Sequence, residues 1–266
     1  MIYQIDRPLA QTELFSLTVI NYNGKKSVLK EPRSDKGPEE YRLACKSLTR
    51  EENHLKLLRG NQGVVQLLES SFGDPAIIIN YVQGLTLAEF IREGREKYLQ
   101  NMLLGEQYVH HVLEKVTDAA RIQSSLSQIL LAHADFSPSN IILNPQVTLI
   151  DYGSSVGRSG KFGFPTTPSP KKSIYCAPEQ ILHTDVNETT DTYSLAMTLW
   201  ESLEGLPLRN TDHSFAQENE LKTAFFSHHP YLAREITTLI RQAAAPSSFD
   251  RPKLEEFADA LSAIKI

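Results

Sequence analysis

The strongest constraint on the fold lies in residues 141–150, where two short apolar runs flank an Asn-Pro-Gln turn. Short apolar runs on either side of a turn signal predict a tight β-hairpin. A hairpin brings its two ends together, so Asn140, which precedes it, is expected beside Asp151, which follows it. Asp135 lies five residues before Asn140. The sequence therefore gathers two carboxylates and an amide at one edge of a small sheet.

This set of side chains suits phosphoryl transfer. One carboxylate can lie near the attacking hydroxyl, while an amide and the other carboxylate hold the metal ions that neutralise a triphosphate. Each acid also has an ordinary explanation when it is taken alone. Asp135 could cap a turn or a helix, and Asp151 could form an Asx turn at the end of a strand. The order of the three residues favours the phosphoryl-transfer site.

The segment His133-Ala134-Asp135, with Asn140 and Asp151-Tyr152-Gly153 after it, resembles the catalytic loop and metal-binding motif of the protein kinases. Other motifs of that family follow in the same order: Ala177-Pro178-Glu179, Asp191 at the start of an apolar helix, and Asp250-Arg251-Pro252. The resemblance implies that Asp135 is catalytic and that Asn140 and Asp151 bind Mg²⁺, with ATP as cosubstrate. It also implies that Asp191 receives backbone N–H groups of the catalytic loop and that Arg251 pairs with Glu179.

The resemblance implies an α+β, bilobal, protein-kinase-like fold in a single domain over residues 1–266. The expected N-lobe, residues 1–79, is a small antiparallel sheet with one main helix at about 38–59. Residues 80–83 form the hinge, and residues 84–266 form a larger and mostly helical C-lobe. Hydrophobic periodicity agrees with this division, because strand-like runs dominate before the hinge and helical spacing dominates after it.

Lys30 ends a predicted strand, and strand alternation puts Val28 on the same face. The resemblance implies that Lys30 holds the α- and β-phosphates, that Val28 contacts adenine, and that a helical glutamate pairs with the lysine. Glu51 and Glu52 are both candidates. Leucines four and seven residues after Glu51 put that glutamate on the apolar face, whereas a lysine lies four residues after Glu52. We therefore expect Glu51 to be the partner, the alternative being two solvated helix glutamates.

An apolar run at residues 77–79 leads into a polar connector that contains a glycine. The pattern alone predicts only a core strand. The resemblance implies that Ile79 is the gatekeeper of the nucleotide pocket, and that Asn80, Tyr81 and Val82 form the hinge whose backbone groups bond the adenine edge.

The chain departs from the family pattern in its phosphate loop. No glycine precedes Gly24, and the three glycine positions of the loop align with Ala10, Thr12 and Phe15. Glycine allows backbone N–H groups to approach a phosphate without a Cβ in the way. The loop is therefore expected to close differently over the nucleotide or not to clamp it.

Two further departures concern the catalytic loop. Ala134 replaces the arginine that reads an activation-loop phosphate in many relatives, and Ser137 replaces the lysine that neutralises the γ-phosphate. Lys172 occupies the position where the family carries a threonine facing that lysine, so the hydroxyl and the amine are exchanged. The alternative is that Lys172 is an ordinary solvated lysine.

Composition narrows the class of partner. A formal charge of −5 and a pI near 5.9 argue against a nucleic-acid-binding surface. No apolar run approaches the length of a membrane span, so no membrane partner is expected. The two cysteines fit a reducing cytoplasm, which predicts a cytoplasmic protein.

The sequence thus predicts an ATP- and Mg²⁺-dependent serine/threonine protein kinase, with a protein substrate that supplies the acceptor hydroxyl. Two alternatives remain open. The missing glycines favour a pseudokinase that works as an interaction or allosteric module. A small-molecule phosphotransferase of the aminoglycoside type would share the acidic motifs but not the Ala-Pro-Glu and Asp-Arg-Pro motifs. The sequence gives no indication of the oligomeric state.

Overall fold

The computed structural model describes residues 3–71, 75–100, 102–158, 173–206, 208, 221 and 223–266. The N-terminal part forms an antiparallel sheet of five strands: β1 (Gln4–Gln11), β2 (Phe15–Tyr22), β3 (Lys25–Pro32), β4 (Leu67–Ser70) and β5 (Ile77–Asn80). The strands lie in the order β1-β2-β3-β5-β4. The predicted strand around Lys30 is thus the third strand of this sheet.

The turn between β2 and β3 fixes the register of this strand pair. Asn23 and Gly24 both adopt positive φ values, 52° and 77°, as a two-residue hairpin of the primed type requires. This register places Leu17 opposite Lys30, and on the other side of β3 Lys30 lies opposite Ile77 of β5. Residues opposite each other in an antiparallel pair share a face, and so do residues two apart on one strand, so Lys30, Ile77 and Ile79 face the same cleft.

Helix α1 (Pro38–Leu57) packs on that face of the sheet. The Glu40 carboxylate accepts a hydrogen bond from the Gly37 N–H at 3.2 Å and caps the helix start, and Pro38 fills its first turn. Leu48 and Leu55 of α1 belong to the main apolar core of the protein. The other face of the sheet has a separate apolar cluster: Ile20, Leu29, Ala76 and Ile78.

The C-terminal part is mostly helical. Its helices are α2 (Leu87–Leu99), α3 (Met102–Ser125), α4 (Pro178–Ile181), α5 (Thr190–Glu204), α6 (Ala224–His228), α7 (Pro230–Ala243) and α8 (Leu254–Ala263). Its short strands are β6 (Leu85–Thr86), β7 (Leu130–Ala132), β8 (Ile141–Leu143), β9 (Val147–Leu149) and β10 (Val156–Gly157). Helix α5 is buried from Thr190 to Trp200 and forms the centre of this lobe. Strands β8 and β9 form the predicted hairpin.

Gly84 joins the two lobes at a point where no other residue fits. Its φ is +147°, and a Cβ there would lie 2.1 Å from the carbonyl oxygen of Leu143 in β8. Two residues later Thr86 begins α2 through a capping box with Glu89, in which the Thr86 N–H donates to the carboxylate at 2.8 Å. The connector after β5 is therefore pinned to the hairpin that carries the candidate catalytic residues.

The described elements have the predicted α+β, two-lobed architecture. In the part of the chain described here, no helix has both the length and the hydropathy to cross a lipid bilayer.

Candidate active site

Lys30 lies between two carboxylates. Its ammonium nitrogen is 2.7 Å from Glu51 Oε2 and 3.1 Å from Asp151 Oδ1. Burial alone would lower the pKa of Lys30, but Asp151 and Glu51 outweigh it and raise that pKa above its usual value. The lysine is therefore charged at neutral pH. Glu52, the other candidate, pairs instead with Lys56 at 2.5 Å on the helix surface.

The β8–β9 hairpin brings Asn140 and Asp151 to its two ends, and the Ile150 N–H donates to the Asn140 carbonyl at 3.1 Å. The Asn140 amide nitrogen donates to the Asp135 backbone carbonyl at 2.7 Å and to Asp135 Oδ2 at 3.0 Å. Two acceptors on one side of the amide direct its oxygen the other way. Asp151 has φ 65° and ψ 68°, a left-handed conformation that turns the chain at the end of β9.

Hydrogen bonds to the start of α5 fix the backbone of the catalytic loop. The buried Asp191 carboxylate accepts the N–H of His133 at 2.6 Å and that of Ala134 at 2.9 Å. Burial raises the pKa of Asp191 to about 7, although the two N–H donors oppose that rise. Ala134 has a positive φ of 61°, and these bonds hold it in that conformation.

Besides the pair of Lys30 and Glu51, two further residues of helix α1 contact the Asp-Tyr-Gly motif. His54 Nδ1 lies 3.0 Å from the backbone carbonyl of Tyr152. Ser47 approaches Gly153 so closely that a Cβ on the glycine would lie 2.8 Å from Ser47 Oγ. With Glu51, these residues put one contact on each of three consecutive turns of the helix. The sequence analysis missed His54 and Ser47, although both lie at helical spacing from Glu51.

The Glu179 carboxylate accepts two bonds from Arg251, at 2.8 and 2.9 Å, and a third from the Thr190 hydroxyl at 2.7 Å. A bidentate buried pair of this kind fixes both partners in orientation. It ties the end of the activation segment to the starts of α5 and α8.

Apolar side chains surround Ala134, where an arginine would read a phosphate. Ala132, Ala134 and Val186 form a small cluster, and the Gln180 amide donates to the Ala134 carbonyl at 2.8 Å. Ser137 is buried, and within the described residues its hydroxyl has no hydrogen-bond partner. Lys172, the proposed counterpart of Ser137, lies outside the described residues.

The expected adenine side of the cleft is apolar. Val28 lies opposite Ile79 in the sheet, and both are buried. The Asn80 side-chain oxygen accepts the Gln66 N–H at 2.6 Å, which fixes the first hinge residue against the preceding strand. The other two predicted hinge residues, Tyr81 and Val82, are half-buried against the main core.

The hairpin of β1 and β2 covers the other side of the cleft. Its turn is closed on itself, because the Thr12 N–H donates to the Phe15 carbonyl at 2.9 Å and the Phe15 N–H donates to Thr12 Oγ1 at 3.0 Å. The Arg33 guanidinium adds a bond to the Thr12 carbonyl at 3.0 Å. Phe15 is buried, and its ring centroid lies 4.6 Å from the Lys30 ammonium. This contact was not predicted.

Comparison with known proteins identifies the domain. The family described as "protein kinase domain" matches residues 16–260. The tyrosine-protein kinase MasK of Myxococcus xanthus is 27% identical over 230 residues, which cover 80% of this chain and 34% of that protein. The serine/threonine-protein kinase PknB of Mycobacterium tuberculosis is 27% identical over 137 residues, covering 50% of this chain and 20% of the relative. The chain thus spans about a third or less of the length of these two relatives.

The solved structures agree on the fold. A crystal structure of the Mycobacterium tuberculosis PknI kinase domain superimposes with a TM-score of 0.71 at 24% identity, covering 98% of this chain and 94% of that one. At this level of identity the likeness concerns the fold alone. It confirms the bilobal α+β architecture expected from the sequence.

Proposed function

The chain belongs to the protein kinase family, and from that premise we propose that it transfers the γ-phosphate of ATP to serine or threonine hydroxyls of a protein substrate. One observation carries the proposal. Lys30 is held by both Glu51 and Asp151 in the same cleft in which Asn140 is bonded to Asp135. Phosphoryl transfer depends mainly on positioning and charge stabilisation, and these five side chains supply both.

The residues of the site have distinct proposed roles. Asp135 orients the acceptor hydroxyl and takes its proton, and Asn140 keeps that carboxylate in place. Lys30 positions the α- and β-phosphates, because its ammonium is charged and fixed by Glu51. Val28 and Ile79 enclose the adenine, and backbone groups of the hinge residues Asn80, Tyr81 and Val82 bond its edge.

The donor set near Asp151 fits Mg²⁺. This ion prefers oxygen ligands and takes only one or two carboxylates from the protein, the remainder coming from phosphates and water. The Asp151 carboxylate and the Asn140 amide oxygen, which is directed away from Asp135, are such donors. When bound, the ion would neutralise the charge of the phosphate groups. Among the described residues, no group of three or more His, Cys, Asp or Glu side chains is arranged to hold a metal ion.

Two observations bear on the alternatives. The Phe15 ring against Lys30 and the closed turn at Thr12 favour a pseudokinase, because both oppose phosphate binding. The buried pair of Glu179 and Arg251 supports a protein acceptor over a small molecule, because in the family these residues build the platform for the peptide substrate. We propose Ser or Thr as the acceptor residue. The names of the two relatives cover both classes of acceptor, because MasK is called a tyrosine-protein kinase and PknB a serine/threonine-protein kinase.

A single incubation with radiolabelled ATP, Mg²⁺ and generic protein acceptors tests the proposal. We expect the wild type to label protein on Ser or Thr, Asp151→Ala to lose the activity, and Asp185→Ala to keep it. Asp185 is a matched control because it is an exposed acid that is not among the proposed site residues. Hydrolysis of the labelled protein identifies the acceptor. Failure of the wild type to bind Mg²⁺·ATP in a thermal-shift titration would support the pseudokinase, and equal transfer by Asp151→Ala would refute the site.

A further inference from the structure

Phe15 points into the cleft at the position of a phosphate-loop glycine. In the β2–β3 pair, Leu17 lies opposite Lys30 and Phe15 lies opposite Pro32. Opposite residues share a face, and so do residues two apart on one strand. Phe15 therefore projects from the same face as Lys30, one step closer to the turn.

The ring lies against the part of Lys30 that a phosphate needs. An ammonium has three N–H donors and no acceptor. Glu51 and Asp151 accept from it at 2.7 and 3.1 Å, and the Phe15 ring lies over it at 4.6 Å, within the roughly 6 Å range of a cation–π contact. Oxygens of a phosphate chain would have to reach the ammonium from a direction that the ring now covers.

The hairpin holds the ring in this position. The Phe15 N–H is bonded to Thr12 Oγ1, and the Thr12 N–H is bonded to the Phe15 carbonyl. The backbone donors at two of the glycine positions are thus used within the turn. The Arg33 N–H donates to the Leu14 carbonyl at 2.9 Å and attaches the turn to the end of β3. Phe15 itself belongs to the apolar core that also contains Leu48 of α1, which favours the inward position of the ring.

We propose that Phe15 is a specificity residue that competes with the phosphate chain of the nucleotide for the Lys30 ammonium. The adenosine part of the ligand meets the apolar side chains of Val28 and Ile79, whereas its phosphates bind only after the ring leaves the cleft. The inference rests on the proposed nucleotide site. It adds that this site gains little affinity from phosphates, in contrast to one closed by a glycine loop.

Calorimetric titrations with adenosine, Mg²⁺·ADP and Mg²⁺·ATP test the proposal on the unaltered protein. We expect ADP and ATP to bind no more than about threefold more tightly than adenosine. Phe15→Gly should strengthen ADP and ATP binding by at least about tenfold and leave adenosine within about threefold. Ser16→Gly is the matched control, since it adds the same backbone freedom to the neighbouring residue, whose side chain projects from the opposite face; it should change none of the three affinities.

Phe15→Leu is a second test in case Phe15→Gly does not fold. It keeps an apolar side chain in the core but removes the aromatic face. It should give intermediate affinities for ADP and ATP. Wild type that binds ADP tenfold more tightly than adenosine overturns the inference and leaves the nucleotide site intact. Equal gains for adenosine and ADP in Phe15→Gly also overturn it. Absence of binding for all three ligands refutes both the inference and the proposed function.

Discussion

Two hairpins flank Lys30, the proposed phosphate-binding lysine, and they use their polar groups in opposite ways. The C-lobe hairpin, β8–β9, offers Asn140 and Asp151 at its ends to other groups of the cleft, so that one is bonded to Asp135 and the other to Lys30. The N-lobe hairpin, β1–β2, bonds Thr12 and Phe15 to each other within its own turn. It contributes an aromatic ring to the cleft in place of backbone donors.

The difference suggests that turnover and nucleotide affinity depend on separate parts of this chain. Two contacts fix the surroundings of the C-lobe hairpin. Asp191 is bonded to the backbone of the loop before the hairpin, and His54 of α1 contacts the backbone of Tyr152 after it. None of these contacts depends on the N-lobe turn. We therefore expect changes around the C-lobe hairpin to reduce turnover, and changes in the N-lobe turn to alter nucleotide affinity.

The largest expected effect is that of Asp135→Asn. The substitution removes the proposed proton acceptor, and general-base contributions are typically about 10²- to 10⁴-fold. We expect turnover to fall by at least about a hundredfold while ATP affinity changes by less than about threefold, because Lys30, the proposed phosphate ligand, is held by Glu51 and Asp151. Steady-state kinetics and calorimetric titration measure the two quantities. Wild-type turnover would show that the catalytic assignment is wrong.

A tenfold effect is expected where α1 meets the metal motif. In Gly153→Ala the new Cβ would lie 2.8 Å from Ser47 Oγ and push the helix away from Asp151. We expect kcat to fall by about tenfold, or about 1.4 kcal/mol. Adding Ser47→Ala removes the obstructing oxygen and should restore most of the loss, whereas Ser47→Ala alone should be nearly silent. A double variant as slow as Gly153→Ala would mean that the close approach is not the cause.

A smaller effect concerns stability against pH. Burial lowers the pKa of His54 below its ordinary 6.5; the hydrogen bond to Tyr152 opposes the shift and the charge of Arg50 adds to it. A lowered folded-state pKa means that the unfolded chain binds the proton more readily, so stability present above pH 6.5 is lost as the pH falls below it.

His54→Asn keeps an N–H donor but does not titrate. Between pH 7.5 and 5.5 we expect the melting temperature of the wild type to fall a few degrees more than that of the variant, measured by calorimetry. Parallel losses would indicate that other groups dominate the pH dependence. The test bears on the comparison of the two hairpins, because His54 is the histidine of α1 that contacts Tyr152 after the C-lobe hairpin.

The smallest expected effect follows from Ala134. Its surroundings are apolar and its carbonyl is bonded to Gln180, so the catalytic loop offers no cation to an activation-segment phosphate. Phosphatase treatment should therefore change activity by less than about twofold, although Ser173, Thr166, Thr167 and Ser169 are possible phosphate sites. The last three lie outside the described residues. A large loss of activity would require an arginine elsewhere to read the phosphate.

Sequence reasoning was effective where function depends on local spacing. The hairpin that joins Asn140 to Asp151 spans only a few residues, so turn chemistry was enough to predict that its ends meet. Helical spacing selected Glu51 over Glu52, and the structure pairs Glu51 with Lys30. The same arithmetic would have found His54, three residues further along the helix on the same face.

Other contacts could not be predicted because they depend on how separate elements pack. The sequence determined the protein family, the two-lobed fold and the order of the catalytic motifs, since these are written in short-range patterns of apolar and polar residues. Only the tertiary structure decided that the Phe15 ring would lie against Lys30, because that contact needs the register of β2 on β3 and the inward apolar packing of the turn together. It likewise decided that Ser47 would lie against Gly153, a distance set by how closely α1 docks on the C-lobe motif.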